Sequence, residues 1–396
     1  MFEILSLKGG IDNVAGFYTS ALNCGLRPDT QQGDLGFIRS KTLCNISAVF
    51  TKNKFCAAPI KHALKYGKSF EGNFILVNAK NANAMTGAKG IEDIEDILST
   101  IPSEVEAINP VMSSTGVIGY RLPKEKIISG IKSLDYSAKD SNKLANAILT
   151  TDSFKKEISF RVTLKSGDSF NIAAVAKGAG MINPAMATML CFIATDAKVP
   201  KEDMSEILSE AVDESFNTIS VDGDTSTNDS VFLMANGESG AYDKEAFSVA
   251  LKRIAFELAM MILKDGEGAN KVVAFEVVGA KDSQDAKVAA TALSNSLLVK
   301  TALFGEDPNW GRIASTIGAS NIECSEETLE IFYDDLLVYS KDKPELDATS
   351  EEKAYKIMKQ DSFKIKCNIG IGDAEYTSYG CDLSYEYVKI NAEYRT

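Results

Sequence analysis

The sequence predicts an α/β protein, and three stretches carry that expectation. Ile158, Phe160, Val162 and Leu164 alternate with polar residues, as do Phe170, Ile172 and Ala174, and Ser166-Gly167 between them completes a β-hairpin. Met186 to Ala194 is a nearly continuous apolar run, the pattern of a strand buried on both faces. Two amphipathic helices follow. Pro200 opens the first, with Met204, Ile207, Leu208, Ala211, Val212 and Phe216 on one face, and the second runs from about Phe247 to Lys264.

Composition narrows the class. At 396 residues, 45% hydrophobic and 24% charged, the chain can bury a large core and divide into two domains. It contains no run of about 18 apolar residues, and MFEILSLKGG carries an acid where a signal peptide is basic, so a cytoplasmic protein is expected. Seven scattered cysteines without a C-x-x-C pair indicate neither a disulfide framework nor a thiolate metal site. A net charge of −13 argues against nucleic acid or an anionic membrane as partner.

Taken in order, the first 60 residues give no strong period. Asn78 to Gly90, rich in Asn, Ala and Gly, suits a close backbone turn. In NPVMSSTGVIG, the Thr115-Gly116 step can turn the chain or present an amide and a hydroxyl to a reacting oxygen, as an oxyanion hole requires. Ser153 and Lys156 match S-x-x-K, but the S-D-N and K-T-G companions of penicillin-recognising enzymes are missing, so the match is set aside. Thr151, just ahead, suits a helix cap.

The loop KGAGMINP then leads into the apolar run, placing Thr188 at the head of a core strand behind small Ala187. A hydroxyl nucleophile needs a base. The chain has one histidine, His62, but a cut before Thr188 would free an α-amine with pKa near ~8 that could take the proton from its own Oγ. On these residues alone Thr188 reads as a plain strand residue. No dinucleotide fingerprint is present, since Gly178-Ala-Gly180 lacks a third glycine at Asn183. Asp222 to Asp229 has the alternating oxygens of a calcium loop without its sixth-position Gly or its final Glu, where Leu233 stands, so no metal is expected.

Asp265-Gly-Glu-Gly268 closes the second helix and sets Glu267 where the helix dipole disfavours an acid unless a cation compensates; a substrate ammonium could be that cation. The polar cluster Gly279 to Asp285 marks a domain boundary, giving 1–280 and 281–396. Trp310 in DPNWGR reads as packing. At the end, Tyr385 to Asn391 alternates as a strand.

PAMATMLCFIATDA, NAKNANAMTG, SSTGVIG, VDGDTSTND, KDGEGANK, EDPNWGRI and the C-terminal CDLSYEYVKINAEYRT together resemble the glutamate N-acetyltransferase (ornithine acetyltransferase) family of arginine biosynthesis along nearly the whole chain. The resemblance implies a sandwich of sheets between helices of the N-terminal-nucleophile type, with a smaller α/β C-terminal domain whose tail returns to the active site. It implies self-cleavage between Ala187 and Thr188, with Thr188 as nucleophile and Thr115 and Gly116 as the oxyanion pair. Substrate-binding roles fall on Thr151, Lys177, Thr188, Glu267, Asn391 and Thr396.

The implied activity is acetyl transfer from N2-acetyl-L-ornithine to L-glutamate without a cofactor, with acetyl-CoA as a co-substrate left open. Its partners are small molecules and its own two fragments, two of each in a heterotetramer. Residues 1–187 carry net charge +5 and residues 188–396 carry −18, which would help the fragments stay together, although drift in surface polarity gives the same asymmetry. Aminopeptidases and amidases share the fold type, so a hydrolase, with water as acceptor, remains the alternative.

Overall fold

The computed structural model describes residues 2–28, 30–183 and 189–393. Seven strands come first: β1 (Glu3–Leu7), β2 (Phe17–Leu22), the long β3 (Leu35–Phe50), β4 (Ser69–Asn78), β5 (Val111–Ser114), β6 (Lys156–Thr163) and β7 (Ser169–Lys177). β8 (Leu190–Thr195), the two-residue β9 (Ile219–Ser220) and β10 (Ser230–Ala235) follow. Among the described residues these strands, β9 excepted, form one nine-stranded sheet in the order β1-β6-β7-β8-β10-β3-β4-β5, with β2 beside β3.

The expected hairpin is β6–β7, registered from Lys156 against Ala176 to Thr163 against Ser169. The expected core strand is β8, buried at all six positions. It runs parallel to β10 and antiparallel to β7, so both its faces must be covered. Cys191 and Ile193 face the helices Lys201–Asp213 and Lys244–Lys264, while Leu190, Phe192 and Ala194 join a second core with Val175, Phe232 and Ile148. Phe192 stacks on Phe232 with ring centroids 6.0 Å apart. Each such side chain contributes about 1.5–3 kcal/mol of burial, which makes the centre of the sheet the costliest part to displace.

A second sheet is built from β11 (Val272–Ala280), β12 (Glu330–Tyr333), β13 (Leu336–Tyr339), β14 (Ser362–Asn368) and β15 (Ala374–Cys381), in the order β13-β12-β14-β11-β15-β9. Val273, Phe275 and Val277 of β11 pack on Ala286, Ala289 and Leu293 of the helix Ser283–Asn295. β11 lies ahead of position 281 yet belongs to this sheet. The polar cluster at 279–285 is the turn into that helix, whose N-terminal amides at Gln284 and Asp285 are capped by the Asp282 carboxylate.

One element differs outright from expectation. Tyr385–Glu393 is a helix, not a strand, and has no buried residue. Helical backbone satisfies its own hydrogen bonds, so the segment can lie exposed on the surface without a sheet edge to pair with. Its alternation instead places Tyr387 and Asn391 four apart on one helical face. No helix among the described residues is long and apolar enough to cross a membrane, and all seven cysteines are free thiols. No group of three or more His, Cys, Asp or Glu among those residues could hold a metal.

Candidate active site

Where β5 ends, the chain turns through Thr115 and Gly116 against the loop after β4. The Thr115 amide donates to Asn78 O at 3.0 Å, and the Val117 amide donates to Lys80 O at 3.2 Å. Gly116 sits at φ +132, and a Cβ there would lie 2.2 Å from the Lys80 carbonyl carbon, so only glycine permits the approach. Asn228 clamps the two segments, its Nδ2 donating to Ala82 O (2.7 Å) and Ser114 O (2.9 Å). With the Thr115 amide spent, the donors this step can offer an oxyanion are the Thr115 hydroxyl and the Gly116 amide.

Lys177 ends β7 and is only 3% exposed. Its Nζ donates to Thr150 Oγ1 at 2.7 Å and lies 3.6 Å from Asp152 Oδ2. Burial alone would raise the Asp152 carboxyl; the ammonium groups of Lys177 and Lys156 overcome it and hold the acid well below the usual carboxylate range. Asp152 also accepts the amides of Gly178 (2.6 Å) and Thr150 (3.0 Å), which ties the loop after β7 to the loop that carries Thr151.

Glu267 is largely buried, two residues beyond the C-cap Asp265 of the helix Lys244–Lys264. Its amide donates to Ala179 O at 2.9 Å, and its carboxylate lies over Gly180, where a Cβ would come within 2.4 Å of Glu267 Cδ. The carboxylate accepts from Asn391 Nδ2 at 2.7 Å. The helix bearing Asn391 rests on Gly268, at φ +70, where a Cβ would meet the Tyr387 amide nitrogen at 2.5 Å. From the same helix Tyr387 Oη reaches Asp222 Oδ2 at 3.4 Å, and Asp222 in turn accepts the amides of Met181 (2.6 Å) and Ile182 (2.9 Å).

These groups converge on a cavity of about 200 Å³. Thr115, Gly116, Thr151, Lys177, Glu267 and Asn391, six positions singled out in the sequence, all line it. Ala187, Thr188 and Thr396, the other three, lie outside the described residues. Met189 is tied to the segment that follows the lining residue Asn228: its amide donates to Asp229 Oδ1 at 3.1 Å, and its carbonyl accepts the Ser230 amide at 3.1 Å. Asp229 is fully enclosed, and burial pushes its carboxyl well above the ordinary range despite the Met189 amide. Its Oδ2 has no hydrogen-bond partner among the described residues.

His62, the only histidine, is buried on the helix Ala58–Ala63, its basicity depressed by burial and then by Lys65, and it does not line the cavity. The S-x-x-K pair is structural in its contacts: Ser153 and Lys156 both bind Asp265. Sequence reading missed Asp152, Asp222, Asn228, Asp229 and Tyr387. The resembling segments at 221–229 and at the C-terminus contain four of these, so that signal was present; Asp152 had none beyond standing next to Thr151.

Three comparisons place the chain among known proteins. The sequence model of the ArgJ family matches residues 18–396. The arginine biosynthesis bifunctional protein ArgJ of Wolinella succinogenes is 54% identical over 100% of both chains, and that of Caldanaerobacter subterraneus 40% identical over 98% of this chain and 99% of its own. The crystal structure of the arginine biosynthesis bifunctional protein argJ of Bacillus halodurans, 40% identical, aligns with TM-score 0.47 over 50% of this chain and 96% of that one.

Proposed function

Because the chain belongs to the ArgJ family, we propose that it transfers acetyl from N2-acetyl-L-ornithine to L-glutamate through an acetyl ester on Thr188, after cutting itself between Ala187 and Thr188. It is an arginine-biosynthesis enzyme of the cytoplasm, and, like the relatives named bifunctional, it also makes N-acetylglutamate from acetyl-CoA. The reading requires no cofactor. What carries it is one cavity lined by a buried ammonium (Lys177), a buried carboxylate (Glu267) and the Thr115-Gly116 step.

Self-cleavage begins as Thr188 Oγ adds to the Ala187 carbonyl carbon. The Ala187–Thr188 C–N bond then breaks, its nitrogen takes a proton, and the acyl chain is left as an ester on Oγ. Water hydrolyses that ester, giving fragments of 187 and 209 residues. In the mature enzyme the freed α-amine of Thr188 takes the Oγ proton as Oγ adds to the acetyl carbonyl. Negative charge gathers on the acetyl oxygen, facing the Thr115 hydroxyl and the Gly116 amide. Ornithine leaves as the amine, glutamate enters, and its deprotonated amine reverses the steps.

Lys177 meets the α-carboxylate common to both amino acids. Glu267, held by Asn391, meets the nitrogen beside it, an amide N–H in the donor and an ammonium in released ornithine or arriving glutamate. Thr151 and Thr396 complete substrate binding. The two fragments stay joined, a reading supported by β8 and β10 lying between β7 and β3 in one sheet, and they assemble as a heterotetramer of two of each.

Purified protein assayed with glutamate and either donor, alongside its intact mass, tests the proposal. Two fragments and N-acetylglutamate from both donors are expected. Thr188→Ala should remain one chain; cleavage persisting in that variant refutes the nucleophile, and acetate released without glutamate makes the protein a hydrolase.

A further inference from the structure

Lys156 is fully buried and does not line the cavity. It opens β6, and its Nζ donates to Asp152 Oδ1 at 2.8 Å, to Asp265 Oδ2 and, at 3.3 Å, to Phe154 O. Each carboxylate governs a different part of the site. Asp152 holds the Lys177 ammonium and the Gly178 amide. Asp265 accepts the Ser153 amide and hydroxyl and stands two residues ahead of Glu267, whose amide returns to Ala179.

Among the described residues, Lys156 is thus the one side chain bonded to the anchors of both charged walls, Asp152 and Asp265. We infer that Lys156 is a positioning residue that fixes the separation of Lys177 and Glu267, so that a single pocket reads a carboxylate and the nitrogen beside it. The inference rests on the substrate roles given to those two residues above. Two lysines and two aspartates close a neutral quartet, nowhere more than 4% exposed. Replacing such a buried ion cluster by apolar groups is often neutral or stabilising, so stability alone does not call for a lysine here. A cation bonded to two carboxylates supplies direction instead, locking three loops that a methionine would leave free to shift.

The test pairs Lys156→Met with Asp265→Asn, which leaves Asp152 matched to Lys177 and no charge unpaired. Intact mass checks self-cleavage, and melting temperature checks the fold. Kinetics then compare N2-acetylornithine with its α-carboxamide, which lacks the carboxylate. In the native enzyme, masking the carboxylate should lower kcat/KM roughly 30-fold or more, the loss of a buried charge-assisted contact. In the double variant that penalty should shrink to a few-fold, with KM for both natural substrates raised about tenfold and kcat nearly kept.

A full penalty in the cut, folded double variant overturns the positioning role, since a merely structural lysine would change the melting temperature and leave the discrimination intact. No penalty in the native enzyme overturns the substrate role of Lys177 itself, a different failure. Asp265→Asn alone, which keeps Lys156 on Asp152, gives the same comparison should the double variant not fold or not cut; there too the penalty must shrink, and a full penalty overturns the inference.

Discussion

Lys177 and Asn228 reach the cavity from the end of β7 and the threshold of β10, strands buried from Ile172 to Lys177 and at every position of β10, whereas Tyr387 and Asn391 reach it from a helix without one buried residue. On the strand side, position is set by backbone ladders shared with three neighbours, β6, β8 and β3, and moving one residue disturbs the whole sheet. On the helix side, it depends on a few side-chain contacts: Ser384 to Gly268 O, Asn391 to Glu267 and Tyr387 to Asp222. Two walls of one cavity are thereby held to different degrees, one fixed by the sheet and one resting on side-chain contacts that can yield.

Disturbing the strand side should cost most. Gly116→Ala drives a methyl into the Lys80 carbonyl and displaces the amide proposed to meet the oxyanion, so kcat should fall about 100- to 1000-fold with KM little changed. Steady-state kinetics on the cut protein decide this; a loss confined to KM would move the oxyanion site elsewhere.

Asp229→Asn is next. A carboxyl kept neutral by burial keeps its proton in the folded chain while the unfolded chain gives it up near pH ~4, so its contribution to stability is present below that pH and lost as pH rises towards the raised folded value. Asparagine has no proton to lose. Denaturant unfolding should find the variant gaining on the native protein by about 1.4 kcal/mol per pH unit over that interval, and parallel pH profiles would mean that Asp229 is ionised in the fold.

On the helix side, Asn391→Ala should raise KM for glutamate about tenfold through loss of one hydrogen bond to a charged partner, leaving self-cleavage and melting temperature unchanged. Tyr387→Phe, removing a 3.4 Å contact to Asp222, should change KM by only about two- to threefold. If either matched Gly116→Ala in kcat, the division between fixed and yielding walls would fail.

What could be read from the sequence follows the same division. β8 and the helices Lys201–Asp213 and Lys244–Lys264 were legible because burial on defined faces writes a period into the chain. Thr115-Gly116, Lys177 and Glu267 were found through resembling segments; their local patterns alone also suited turns and surface. The link from Lys156 to Asp265 left no trace, because a contact between residues 109 apart has no spacing to detect. The last helix was misread for a related reason: its alternation is real, but its contacts, Tyr387 to Asp222 and Asn391 to Glu267, are made to residues 165 and 124 positions away and leave no spacing to detect.

The strand order carries a consequence for the life of the molecule. β8 and β10 come from beyond residue 188, yet lie between β7 and β3, both from before it. A cut at 187–188 therefore divides the nine-stranded sheet: one piece keeps two flanks around an empty slot, the other keeps the parallel pair β8–β10 without its outer neighbours. Folding must precede the cut, while tethering still makes the search for that slot intramolecular. Once cut, the enzyme should be durable and yet unable to start over; heated past its transition, it would lose activity for good, while uncut Thr188→Ala protein, taken through the same cycle, would regain its native fold.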